Sequence, residues 1–80
     1  MDRSVDHMSK LDFGKVIRER RIRRRWTQEE FADRAQISAR HVQSLEAGTK
    51  LPTLDTVFKI ARAFNTSPGP LLDPLWQDWR

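Results

Sequence analysis

Apolar residues recur along the chain at three- and four-residue intervals, and residues that favour helix caps separate the runs. Phe13, Val16 and Ile17, with the stem of Arg20 or Arg21, share one face and predict a first helix over residues 11–24. Asp12 in its first turn and arginines in its last suit the helix dipole at both ends, while Ile22 falls off the apolar face. Thr27 followed by Glu30 is a capping box, so a second helix starts there and covers about residues 28–35, with Phe31, Ala32 and Ala35 inward. Ser38 is a good N-cap for a third helix reaching about Ala47; Val42 and Leu45 lie on its inner face, and Gly48 stops it. After the loop "TKLP", Thr53 caps a fourth helix in which Leu54, Val57, Ile60, Ala61 and Phe64 fall on one side. Asn65, tolerant of left-handed backbone, ends it. Ser67 and Pro68 read as N-cap and first residue of a short fifth helix, with Leu71, Leu72 and Leu75 inward and Pro74 limiting its length. No segment shows strand periodicity. The pattern predicts an all-α domain of five short helices.

Composition narrows what such a domain can be. Eighty residues make one small domain, and with no cysteine there is no disulfide framework and no cysteine-based metal site. His7 and His41 lie far apart and neither has a histidine partner at helical spacing, so no metal or other cofactor is expected. With 38% apolar and 32% charged residues the chain can bury a core and remain soluble. No apolar run approaches a bilayer span or a secretory signal, so no membrane partner and a cytoplasmic, nucleoid-associated location are expected. Residues 1–10 are polar, contain a second methionine at Met8, and read as a flexible leader. Residues 11–75 are the domain, and residues 76–80, "WQDWR", a tail containing two tryptophans.

Charge is uneven. The net +4 arises because residues 10–50 hold eleven basic and six acidic side chains, whereas residues 51–80 hold three of each. Six of the arginines crowd between Arg18 and Arg25. A basic half joined to a neutral half points to one face built for a polyanion, although a charged helix face is often only solvated.

Two short helices joined by a three- or four-residue turn form a helix-turn-helix. The stretch "WTQEEFADRAQISARHVQSLEAGTKLPTLDTVFKIARAF" places a small residue, Ala32, where the two helices would cross. It puts an apolar residue, Ile37, after the turn, and Val42 and Leu45 on the inner face of the second helix of the pair. From about Phe13 to Leu75, roughly four-fifths of the chain, the sequence resembles the helix-turn-helix domain of the phage repressor and Cro family, the Xre-type domain. The resemblance implies a five-helix, phage-repressor-like DNA-binding domain of bacterial or phage type. Three positions depart from the family pattern. Gln36 stands where a glycine with positive φ is usual, which predicts strain of about 1 kcal/mol. Arg25 replaces a second usual glycine, and Arg20 a usual buried leucine whose place its stem can fill while its head reaches water.

Helix geometry selects the DNA readers. At 100° per residue, Arg40 and Ser44 lie opposite Val42 and Leu45, flanked by Gln43 and His41. The N-terminal end of a recognition helix enters the major groove most deeply, which favours Ser38, Ala39 and Arg40. The fork of Arg40 suits the O6 and N7 acceptors of guanine, and Ala39 could meet a thymine methyl. Thr49 and Lys50, just past the helix, suit the DNA backbone. Arg18, Arg23, Arg24 and Arg25 read as a basic field or as phosphate contacts. From the resemblance come two further roles: Gln28 contacting a phosphate and bracing the recognition helix, and Arg21 with Glu46 forming a structural ion pair.

These features predict a sequence-specific transcriptional regulator, a repressor, that binds double-stranded DNA at a pseudo-palindromic operator as a homodimer. With no separate oligomerisation domain, the dimer would use the fifth helix and the C-terminal region. The alternative is an antitoxin or partner-binding adaptor on the same fold, with the tryptophan tail as its protein surface. No catalytic site is expected: His41 and Ser44 are helix neighbours without a third group, and Glu29 and Glu30 point in different directions. The chain has no room for a small-molecule ligand domain.

Overall fold

A computed structural model describes residues 10–80, so the leader predicted over residues 1–10 lies almost wholly outside the described residues. Local capping chemistry sets most helix ends. The five helices are α1 (Lys10–Arg23), α2 (Gln28–Ala35), α3 (Ala39–Ala47), α4 (Leu54–Ala63) and α5 (Pro68–Trp79), and no strand occurs among the described residues. The capping box is complete: the Glu30 N–H donates to Thr27 Oγ1 at 3.0 Å and the Thr27 N–H donates to Glu30 Oε1 at 2.8 Å. Ser38 Oγ accepts from the His41 N–H at 3.0 Å, and Thr53 Oγ1 from the Thr56 N–H at 3.1 Å. Gly48 ends α3 at φ 78°, and Asn65 follows α4 at φ 56°. Ser67 caps α5 without a side-chain hydrogen bond, because Pro70 stands three residues on and has no N–H to donate.

The two family glycine positions keep their left-handed geometry without glycine. Arg25 and Gln36 both have φ 59°. Each stores about 1–2 kcal/mol of backbone strain, which the surrounding turn has to hold. At the second turn the Ile37 N–H donates to the Ala32 carbonyl at 3.0 Å, locking the tight α2–α3 connection.

Two expectations need correction. Pro74 does not end the fifth helix, which continues to Trp79, so Trp76 and Trp79 belong to its last turn and not to a separate tail. Pro70 and Pro74 are both exposed, so water can satisfy the carbonyl that the missing N–H leaves without a partner. Leu54 is not inward: it is 65% exposed, and Thr56 takes an inner place at 5%. Leu54 is the first residue of α4 and lies at the edge of its apolar arc.

The core joins Phe13 and Ile17 of α1, Phe31 and Ala35 of α2, Val42 and Leu45 of α3, Ile60 and Phe64 near the end of α4, and Leu71 and Leu75 of α5. α3 packs against α1 and α2, α2 also against α4, and α5 against α1 and α4. Phe31 and Phe64 stack within the core with centroids 4.9 Å apart, and the half-buried Trp26 stacks on Phe64 from the rim at 5.5 Å. Gly14 is the contact point of α1 with α3. A Cβ there would overlap the Leu45 carbonyl oxygen and come within 3.0 Å of that of Glu46.

Candidate nucleic-acid interface

α3 is held at both ends, and its free side is polar. Val42 and Leu45 are fully buried, whereas Arg40, Gln43 and Ala47 are exposed one turn after another along the opposite side. His41, Ser44 and Ala39 are half-buried, and Ala39 packs partly against the core. A concavity of about 280 Å³ lies on one flank of the exposed strip, lined by Ser38, Arg40, His41, Ser44 and Lys50. A second, of about 260 Å³, lies on the other flank, lined by Arg18, Arg21, Gln28, Gln43, Glu46 and Ala47. Thr49 caps the far end: its hydroxyl donates to the Ser44 carbonyl at 3.1 Å, so this side chain is folded back on α3.

The clamp at the end of α3 is an ion pair with a third member. Arg21 Nε donates to Glu46 Oε2 at 2.7 Å and Nη2 to Oε1 at 3.0 Å, a two-bond fork, while Nη1 donates to the Trp26 carbonyl at 2.8 Å. Gln28 Nε2 donates to Glu46 Oε1 at 3.1 Å. The side chains of Arg21 and Glu46 are 13% and 5% exposed. One carboxylate thus ties together α1, the start of α2 and the end of α3. An acid beside a basic surface is tolerated here because its charge is already matched.

The four arginines read as one basic field separate. Arg18 faces the α3 flank beside Gln28 and Gln43. Arg23 lies with Arg20 in a groove against Pro70 and Pro74 of α5, and is not brought to α3. Arg25 stands exposed in its left-handed turn. Arg24 departs furthest from the expectation of a phosphate contact. Its Nη2 donates to the Phe64 carbonyl at 2.8 Å, and its guanidinium lies over the rings of Trp26 and Phe64 at 5.3 and 5.2 Å. The Phe64 carbonyl closes α4 and has no partner within the helix, so Arg24 works as a cap across forty residues of sequence. Arg34 covers Trp26 as well, at 4.6 Å.

Sequence reasoning missed Arg24 and Arg34 in these roles, and Gly14. Only Gly14 carried a signal, since a glycine inside an amphipathic helix costs stability and usually has a packing reason.

A helix-turn-helix family model matches residues 17–71, which spans the end of α1 through the start of α5. The chain belongs to the Xre/Cro-type helix-turn-helix family. The matched region contains all of α2 and α3 and the residues around both concavities. Membership makes this Xre/Cro-type domain a DNA-binding regulator in general terms, from a family that is generally non-enzymatic. No curated protein matches the chain. Among the described residues no helix is long and apolar enough to cross a membrane, and no group of acidic residues and histidines is placed to hold a metal ion.

Proposed function

We propose that the protein is a sequence-specific transcriptional regulator, acting as a repressor, that reads the major groove with α3. The observation that carries this reading is the division of α3 into a buried Val42–Leu45 face and an exposed Arg40–Gln43–Ala47 strip with polar concavities on both flanks. Arg40 is the base-contacting residue, its fork matched to guanine, with Gln43 and Ser44 as weaker readers. Ser38 and Ala39 lie where the helix enters the groove, Ser38 exposed and Ala39 half-buried. Gln28, Arg18 and Lys50 hold the DNA backbone, and Arg25 and Arg23 supply field; Thr49, expected beside them, has both its hydroxyl and its backbone N–H committed to the Ser44 carbonyl. Gln28 can do this while bonded to Glu46, because its amide oxygen and a second N–H are left over.

One helix-turn-helix reads only a few base pairs, so two copies would bind half-sites of a pseudo-palindrome about one helical turn apart. Trp76 and Trp79 stack on each other at 5.6 Å on the last turn of α5, both about half exposed, and favour that end as the homodimer surface. Sedimentation of the chain truncated after Leu75 would yield a monomer; an unchanged mass would move the dimer surface elsewhere. The same tryptophans favour the second reading, a partner-binding adaptor or antitoxin, if purified protein proves monomeric on DNA. Selection from a labelled random duplex pool tests the main reading: it predicts one enriched sequence, and a pool that stays random would refute it.

A further inference from the structure

The outer side of α4 carries an apolar stripe with a hole beside it. Leu54, Phe58 and Arg62 follow one another at four-residue spacing, and both apolar members are more than half exposed. Leu51, just before the helix, is exposed as well. Large apolar side chains left open together mark a contact surface, whereas single ones do not. Phe58 lines a concavity of about 610 Å³ with Ala61, Arg62, Asn65, Ser67 and Pro68. It is larger than either concavity beside α3 and shares no residue with them, so this surface is separate from the DNA-reading side. It is also separate from Trp76 and Trp79, which lie roughly 12 and 16 Å beyond Pro68 along α5.

The chemistry of the concavity specifies what fits it. No carboxylate lines it among the described residues. Arg62 spends one N–H on Gln36 Oε1 at 3.1 Å and keeps its others. Ser67 makes no side-chain bond to α5, and a Cβ at Gly69 would meet nothing within 4 Å, so the start of α5 is open. A guanidinium and an open helix start both favour a carboxylate, and the exposed ring of Phe58 favours an apolar neighbour. The first half of α4 carries that set itself. Leu54 and Phe58 supply the apolar groups, and between them stands Asp55, its side chain 75% exposed in a surface pair with Lys59.

We propose that a second copy of the chain covers this face, with the two α4 helices crossing antiparallel about a two-fold axis. Phe58 of each copy enters the concavity of the other, so the contact is knob-and-hole in both directions. With Phe58 of one copy beside Arg62 and Asn65 of the other, antiparallel pairing carries its Asp55 a turn further, towards Ser67 and the start of α5. Each copy thus supplies the carboxylate that the other's concavity lacks. Three apolar residues make a patch too small to hold copies together at micromolar concentration. The contact therefore forms in concentrated protein, or between copies already held close by neighbouring sites on DNA. It requires neither the α5 pair nor the DNA-binding reading.

Sedimentation equilibrium of the full chain from about 10 μM to about 1 mM tests the contact, over a range that reaches weak association. The average mass of wild type is expected to rise at least about twofold from its value at the lowest concentration, and that of Phe58→Ser to stay flat. Phe58 is half exposed, so its replacement leaves the core in place. Asp55→Arg and Arg62→Asp each set like charges together twice per contact and should weaken association at least about tenfold; the double variant should recover to within about threefold of wild type. A fold defect in either single variant would not be repaired by the second exchange. Trp76→Ser, run alongside, lowers the starting mass if α5 pairs the copies and leaves the rise intact, so the two surfaces are judged separately. A wild-type mass that stays constant to the highest concentration would overturn the proposal and assign the α4 face to a different protein. Phe58→Ser rising like wild type, or a double variant no better than the single ones, would overturn it as well.

Discussion

Removing Arg21 should leave a buried acid half-satisfied, and the structure sets the size of the effect. In Arg21→Met, the Glu46 carboxylate, 5% exposed, loses two of its three hydrogen bonds and keeps only the one from Gln28. The Trp26 carbonyl loses its donor in the same step. Breaking a buried pair by removing one partner costs about 3–5 kcal/mol. The remaining Gln28 bond and the 13% exposure of Arg21 place the expected loss near the lower end, about 3 kcal/mol. A domain of this size has roughly 4–12 kcal/mol in all. The melting temperature should therefore fall by about 12–24 °C, at 4–8 °C per kcal/mol. Glu46→Leu should cost less, about 2 kcal/mol, because the long stem of Arg21 lets its head reach water. The double variant removes both charges and should be no worse than the milder single change, giving a coupling of at least about 3 kcal/mol. Urea unfolding of the four proteins measures this cycle. Single costs below about 1 kcal/mol, or a double variant that equals the sum within about 0.5 kcal/mol, would show that the pair behaves as an exposed one and does not clamp α3.

Two further substitutions address the scaffold. Gly14→Ala should destabilise the domain by about 2–4 kcal/mol although alanine is the better helix former, because its methyl would drive α1 away from the Leu45 carbonyl; a stabilised variant in thermal melts would show that the crossing is loose. Gln36→Gly should stabilise by about 0.5 kcal/mol, as relief of left-handed strain exceeds the added chain entropy. Its exposed hydrogen bond from Arg62, 3.1 Å, contributes little, so a net loss in urea titration would mean that this contact holds α2 to α4.

What was legible in the sequence was mostly local. Thr27 with Glu30, Ser38 and Thr53 announce their helices because a cap is a bond between residues two or three apart. The polar side of α3 followed from Val42 and Leu45, since one buried face fixes the opposite one. The strip expected at Arg40 and Ser44 instead runs along Arg40, Gln43 and Ala47, with Ser44 half-buried. Contacts between distant residues were not legible. Nothing in "RRRW" distinguishes Arg24, which caps α4 across the domain, from Arg23, which turns to α5. Leu54 looked inward because periodicity reports a face and not whether a neighbour covers it. Pro74 looked like a stop because the cost of an internal proline depends on whether water reaches the carbonyl it leaves unbonded, and exposure is a tertiary property.

The central claim is that α3 chooses the sequence while the arginines of α1 only strengthen the hold, and one comparison tests it. Affinities are measured for the selected duplex and for single-base variants of it, using wild type, Arg40→Ala and Arg18→Gln. Arg40→Ala should flatten discrimination at one base pair by about 1–3 kcal/mol, whereas Arg18→Gln should weaken every duplex by a similar factor and lower the salt slope by about one. Arg40→Ala weakening all duplexes alike, with the preferred sequence unchanged, would contradict the account.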